Sequence, residues 1–206
     1  MCAERDQRLT LSDATQLIAR VWRPSGQGPW PALLMRQPYS RSIASSVTLA
    51  HPNWWASNGY LVVVQDVRGQ GESEGTFTGF AQEANDTAET LSWLRALPDC
   101  NGRIGCYGFS YQGVTQLLAP PHTPPPDCMA PAMAGLDERL HWSCEGGAHW
   151  WHLGLGWKML PNGEKKQAKS GPTKGDGWQI DYSKKVTGGP LAIGFDESFI
   201  IPASLD

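Results

Sequence analysis

Apolar and polar positions alternate through residues 15–22 (TQLIARVW), the period-two pattern of a strand with one buried face. Arg23-Pro24-Ser25-Gly26 ends it as a turn. A short apolar run, Pro31 to Met35, predicts a second and more buried strand. Residues 42–58 carry a weak helical pattern that His51-Pro52 interrupts, and Asn58-Gly59 turns the chain. Tyr60 to Gln65 (YLVVVQ) is β-branched and continuous, as expected of a strand covered on both faces. A Gly-rich loop follows from Asp66 to Gly75. Residues 81–97 place apolar side chains at 88, 91, 94 and 97 and predict an amphipathic helix, stopped by Pro98, Asn101 and Gly102. Ile104 to Tyr107 predicts a strand, 111–119 a helix, 120–126 a Pro-rich loop and Met129 to Met133 a further strand. Strands alternating with helices imply an α/β fold with a mostly parallel sheet. Periodicity fades after about residue 147, and no internal repeat is found.

Composition narrows the classes. The chain has 206 residues, 40% apolar and 18% charged, enough to bury a core and too few charges for a disordered polyelectrolyte. A net charge of −3 gives no electrostatic footprint for nucleic acid. No apolar run reaches the roughly 18 to 20 residues of a membrane helix. The polar start, MCAERDQRL, carries no signal peptide. Cysteines 2, 100, 106, 128 and 144 form no C-x-x-C pair and argue for neither a zinc site nor a disulfide scaffold. A reducing cytoplasm is therefore the default location, and no cofactor or metal is expected.

The basic residues divide by identity. All arginines lie between Arg5 and Arg139, and all lysines between Lys158 and Lys185. Both residue types serve a solvated surface, so fold physics gives no reason for this segregation. It marks a composition break near residue 149.

Gly108-Phe109-Ser110-Tyr111-Gln112-Gly113 follows the strand RIGCY and precedes a helical stretch. It approximates the nucleophile elbow G-x-S-x-G, with the second glycine one place late. A serine between strand and helix needs small neighbours, because its backbone is strained. Pattern alone leaves two readings, an activated nucleophile or a helix N-cap serine.

Several strings then resemble one family in the right order. They are Met35-Arg36-Gln37-Pro38-Tyr39, the stretch HPNWWASNGYLVVVQDVRGQGESEG (51–75), NGRIGCYGFSYQG (101–113), APAMAG and EGG. Over about residues 10–148 the chain resembles the N-terminal half of the cocaine-esterase and X-prolyl dipeptidyl-peptidase-like α/β-hydrolases. The resemblance implies Ser110 as acyl nucleophile, the backbone N–H of Tyr111 as one oxyanion donor, and the Tyr39 hydroxyl as the second. Without it, Tyr39 reads as a buried core tyrosine. Asp66-Val67-Arg68-Gly69 reads as structural, a tight loop at the C-terminal end of a strand. The implied chemistry is two-step acyl transfer on an ester or peptide substrate, with a His base and an orienting Asp, in the chain order Ser, Asp, His.

None of the histidines after Ser110 (His122, His141, His149 and His152) follows a plausible late strand, so none is assigned as the base. The tail, with WHLGLGWKM (151–159) and GFDESFIIPASLD (194–206), resembles an internal stretch of arylsulfatases. There a Lys and a His serve the sulfate site; His152 matches the His, but Trp150 stands at the Lys position. The formylglycine motif C-x-P-S-R and the calcium ligands are missing, so no sulfatase activity is expected. The resulting division is residues 1–148 as a partial hydrolase domain and 149–206 as a sulfatase-like fragment without independent structure. The expected function is a serine hydrolase by descent with weak or no turnover, and the alternative is a non-catalytic or complementation-dependent half-domain. Exposed sheet edges would permit self-association; no nucleic-acid or membrane partner is expected. Ser110 should sit on a sharp strand-to-helix turn with Tyr39 within reach.

Overall fold

Hydrogen-bonding demand and the apolar runs together build one six-stranded sheet. The computed structural model describes residues 3–41, 49–118, 120, 123–135, 144–145 and 148–149. Its strands are β1 (Ala3–Thr10), β2 (Gln16–Arg23), β3 (Trp30–Gln37), β4 (Leu61–Asp66), β5 (Cys100–Phe109) and β6 (Cys128–Ala132). A two-residue pair, β7 (Cys144–Glu145) and β8 (Ala148–His149), lies apart from that sheet. The helices are α1 (Pro52–Ser57), α2 (Glu83–Ala96) and α3 (Tyr111–Leu117). The strand order is β1-β2-β4-β3-β5-β6, with β4, β3, β5 and β6 parallel and β1 and β2 antiparallel at one edge. The chain therefore has the expected α/β-hydrolase-like architecture of a mostly parallel sheet with flanking helices.

β4 is buried at every position, as its unbroken β-branched run requires. On one face Val21, Leu34, Leu61, Val63 and Ile104 pack against Leu91 and Leu94 of α2. On the other, Trp22, Met35, Val62, Val64 and Tyr107 pack against Ala56 and Trp55 of α1. Pro52 at the start of α1 and the His51 imidazole, whose Nδ1 accepts the Asn53 N–H at 3.1 Å, begin that helix. In β3–β4 the register sets Gln37 beside Asp66, so both strands end at the same level. β5 ends there too, and its next residue is Ser110. The C-terminal ends of parallel strands are where α/β sheets place their ligand sites.

Two expectations need correction. The polar N-terminal residues predict no strand, yet Ala3–Thr10 form β1, paired antiparallel with β2 along its whole length. An edge strand needs no apolar alternation when its partner's backbone supplies the hydrogen bonds. The helix over 81–97 begins at Glu83, and its buried face is not purely apolar: Glu83, Asp86, Thr87 and Thr90 are buried with Leu91 and Leu94. Glu83, Asp86 and Thr87 meet arginines, and the Thr90 hydroxyl donates to Gln65 Oε1 at 3.0 Å. The fully buried pair Arg36 Nη1–Glu83 Oε2 is 2.7 Å long, Arg36 Nε donates to Gln65 Oε1 at 2.7 Å, and Arg36 Nη1 donates to Thr87 Oγ1 at 2.5 Å. Asp86 accepts from Arg68 Nη2 at 2.8 Å. Acidic residues in the first turn also suit the positive end of the helix dipole.

The tail from residue 150 lies outside the described residues, and so do residues 42–48 of the weak helical pattern. Among the described residues no helix is long and apolar enough to cross a membrane.

A buried ion pair stripped of one partner leaves an uncompensated charge. Glu83→Ala should lower the free energy of unfolding by about 3–5 kcal/mol, whereas replacing Arg36 and Glu83 together by Met and Leu should recover most of that loss in urea denaturation.

Candidate active site

The elbow forms because β5 must stop where α3 starts, with one residue between them. Ser110 takes that place at φ 59°, ψ −119°, a conformation that non-glycine residues rarely adopt. Three bonds hold it. Its N–H donates to the Ala132 carbonyl of β6 at 2.8 Å, and its own carbonyl accepts the N–H groups of Gly113 and Val114 at 2.8 and 3.0 Å. The side chain makes no helix-capping bond, which removes the N-cap reading. Ser110 thus lies on the sharp strand-to-helix turn that the motif implied.

Gln112 secures the turn from inside. Its Oε1 accepts the Phe109 N–H at 3.0 Å, and its Nε2 donates to Gln37 Oε1 at 3.3 Å. Gly108 is obligatory here: at φ 148° a side chain would be strained, and an added Cβ would collide with Gln112.

Tyr39 follows β3 by two residues and is hydrogen-bonded through its hydroxyl to Ser110. The ring is 41% exposed, so Tyr39 is not a core tyrosine. Burial pushes its pKa up to about 12 against the opposing effect of the Ser110 bond. Tyr111 is fully buried instead. Its ring stacks on Phe80 at 4.5 Å, and its hydroxyl lies 2.8 Å from Glu83 Oε1 and 3.0 Å from the Gly79 carbonyl. As the first residue of α3, its backbone N–H precedes the helix's own hydrogen-bond ladder, next to Ser110.

The three residues singled out in the sequence are therefore brought together at the ends of β3 and β5. Gln37 and Gln112 were missed. The only trace of their bridge in the sequence is an amide-bearing residue in each of two motifs read for other atoms. Asp66 was read as structural, and it is fully buried at the end of β4. The described His51 is occupied with α1 and lies edge-on to Trp22. His122, His141 and His152 lie outside the described residues. Among the described residues no group of three His, Cys, Asp or Glu side chains could hold a metal ion.

The X-Pro dipeptidyl-peptidase (S15 family) pattern matches residues 13–194. The chain belongs to that family. The match continues past the composition break at residue 149, and nothing in these comparisons supports a sulfatase origin for the tail. The chain is 36% identical over 154 residues to cocaine esterase of Rhodococcus sp. (strain MB1 Bresler), covering 73% of this chain and 27% of that protein. Among solved structures it resembles an α-amino acid ester hydrolase, with 27% identity and a TM-score of 0.55 over 66% of this chain and 26% of the other. A CocE/NonD family hydrolase from Staphylococcus aureus shares the fold at 22% identity, with a TM-score of 0.64 over 70% of this chain and 30% of the other. The chain thus spans about a quarter of the length of the curated relatives it matches.

Positive φ at a serine, found here at Ser40 as well as Ser110, is a strained conformation that glycine adopts freely. Ser110→Gly should therefore raise stability by up to about 1 kcal/mol in urea denaturation, while Gly108→Ala should lower it by about 1–3 kcal/mol.

Proposed function

We propose that this protein is a serine hydrolase of the acyl-transfer type, acting on ester or acyl-peptide bonds through Ser110. The observation that carries the reading is the strained Ser110, presented at the end of β5 with the Tyr39 hydroxyl bonded to it. Attack by Ser110 Oγ on a carbonyl carbon would place negative charge on the carbonyl oxygen. Tyr39 O–H and the Tyr111 N–H are the groups that would stabilise it. Tyr39 suits this role because its phenol stays protonated far above neutral pH and remains a donor. A histidine must take the Ser110 proton. His51 is engaged with the Asn53 N–H at the start of α1, so the reading leaves the base, and the Asp that orients it, unassigned. An oxyanion site and nucleophile without that pair retain only residual catalysis.

A fluorophosphonate probe tests the assignment. Labelling should map to Ser110, vanish in Ser110→Ala, and slow by roughly 10²- to 10³-fold in Tyr39→Phe. Labelling that persists unchanged in Ser110→Ala would reject the nucleophile, and fast stoichiometric labelling would show that a general base is already in place.

The second reading, a half-domain that needs completion, is favoured by β6. All its residues are exposed, and it pairs only with β5 among the described residues. Met129 and Met133 add exposed apolar surface at 45% and 72%. An open strand edge of this kind templates pairing with another chain. Sizing chromatography should then show association that grows with concentration. A monomer with a cooperative melt would argue against it.

A further inference from the structure

The loop after β4, Asp66 to Gly75, is a motif that acyl transfer leaves without a task. The buried carboxylate of Asp66 points to one. It does not sit in the loop as an idle turn residue. Its Oδ1 accepts the backbone N–H of Arg41 at 2.5 Å, and its Oδ2 accepts Arg41 Nη1–H at 2.6 Å and the Glu72 N–H at 3.2 Å. The loop is shaped around it: Gly71 is left-handed, at φ 56°, and a Cβ there would fall on the carboxylate.

Arg41 answers with every part of itself. Besides Asp66, its Nη2 reaches Asp6 Oδ2 of β1 at 2.6 Å and Glu72 Oε2 at 2.5 Å, and only 5% of its side chain is exposed. Burial works against the guanidinium's charge, and these three carboxylates more than restore it. Arg41 lies two residues after Tyr39, and the intervening Ser40 is left-handed at φ 75°. The chain is therefore sharply bent between the aromatic and the arginine. On its other side, Gln37 is tied by its carbonyl to the Val67 N–H at 3.0 Å. A ring that is 41% exposed cannot be held by packing alone, so its placement depends on the backbone that carries it.

We propose that Arg41, locked onto buried Asp66, is a positioning residue that holds the Tyr39 hydroxyl over Ser110. A charge pair buried only for stability would break roughly even against apolar side chains. Asp66 instead accepts a backbone N–H as well as the guanidinium, a bond that fixes where the main chain runs. The functional value of this clamp rests on the acyl-transfer reading, but its geometry is measurable without turnover.

The test places 3-fluorotyrosine at position 39 of the full chain and follows its ¹⁹F resonance with pH. With the clamp intact, the phenol should titrate about two pH units above free 3-fluorotyrosine, as burial raises Tyr39 from 10.0 to about 12. Arg41→Ala should lower that midpoint by a unit or more, and Arg41→Lys should restore part of the shift. Asp66→Asn, of the same shape, should lower it while the chain still melts cooperatively, which decides the matter if Arg41→Ala does not fold. Asp6→Ala removes only the outer arm and should leave the midpoint in place. Unmoved midpoints in Asp66→Asn and Arg41→Ala, or a wild-type midpoint equal to the free amino acid, would overturn the proposal. Fluorophosphonate labelling of the wild type separates the two failures. A clamp without a nucleophile shows shifted midpoints and no Ser110 adduct; a nucleophile without a clamp shows the adduct and unmoved midpoints.

Discussion

A serine held at φ 59° between a strand and a helix costs about 1–3 kcal/mol of backbone strain, and much of the surrounding structure serves to hold it there. The strain is sustained from three directions. β6 accepts the Ser110 N–H, the first turn of α3 closes on the Ser110 carbonyl, and Gln112 reaches back to the Phe109 N–H. Each of these bonds opposes relaxation of the backbone toward an ordinary helix start. The fold thus supplies an over-determined joint, which is the condition under which strained residues persist.

Charge inside the molecule follows the same logic. Arg36 and Arg41 emerge from the end of β3 and from the loop beyond it, and each meets a fully buried carboxylate, Glu83 or Asp66. Each carboxylate is subject to burial, which raises its pKa, and to a guanidinium, which lowers it; burial is the larger influence on both. Neither pair is cheap, and neither is needed to fill space. What they have in common is a further bond from the carboxylate beyond the guanidinium. Glu83 holds the phenol of Tyr111, and Asp66 holds the backbone of Arg41. Tyr111 is therefore bonded directly to one buried ion pair, and Tyr39 stands two residues before the arginine of the other.

Much of this was legible in the residues. The β-branched run of β4 has a local cause, so period was enough to place it; the Gly-x-Ser turn left two readings by pattern alone, and Tyr39 read as a core tyrosine without the family resemblance. β1 was not legible, because its sequence, AERDQRLT, carries charges where a core-facing strand would alternate; pairing with β2 decides it. The polar face at the start of α2 was hidden for a related reason. Glu83, Asp86, Thr87 and Thr90 read as solvent-facing until Arg36, Arg68 and Gln65 are known to stand opposite them. The Asp66–Arg41 clamp spans 25 residues and joins two loops, so no periodicity encodes it. The turn that carries Ser110 was thus visible through its motif, while the bonds that orient it were visible only in three dimensions.

The position of β3 in the sheet sets an order of events. It lies between β4, which follows it closely, and β5, which arrives only after α1, β4 and α2 have been made. The bond from Ser110 to Ala132 adds a further strand to the list of elements that must be present. Such non-local, parallel pairing is slow to form. As the chain emerges from a ribosome, β1, β2, β3 and β4 can all assemble while the serine still has no fixed conformation. Its geometry becomes defined only when β6 has docked. The turn at Ser110 is thus among the last features of the sheet to mature, and a nascent chain halted before residue 132 would lack the bond that anchors it.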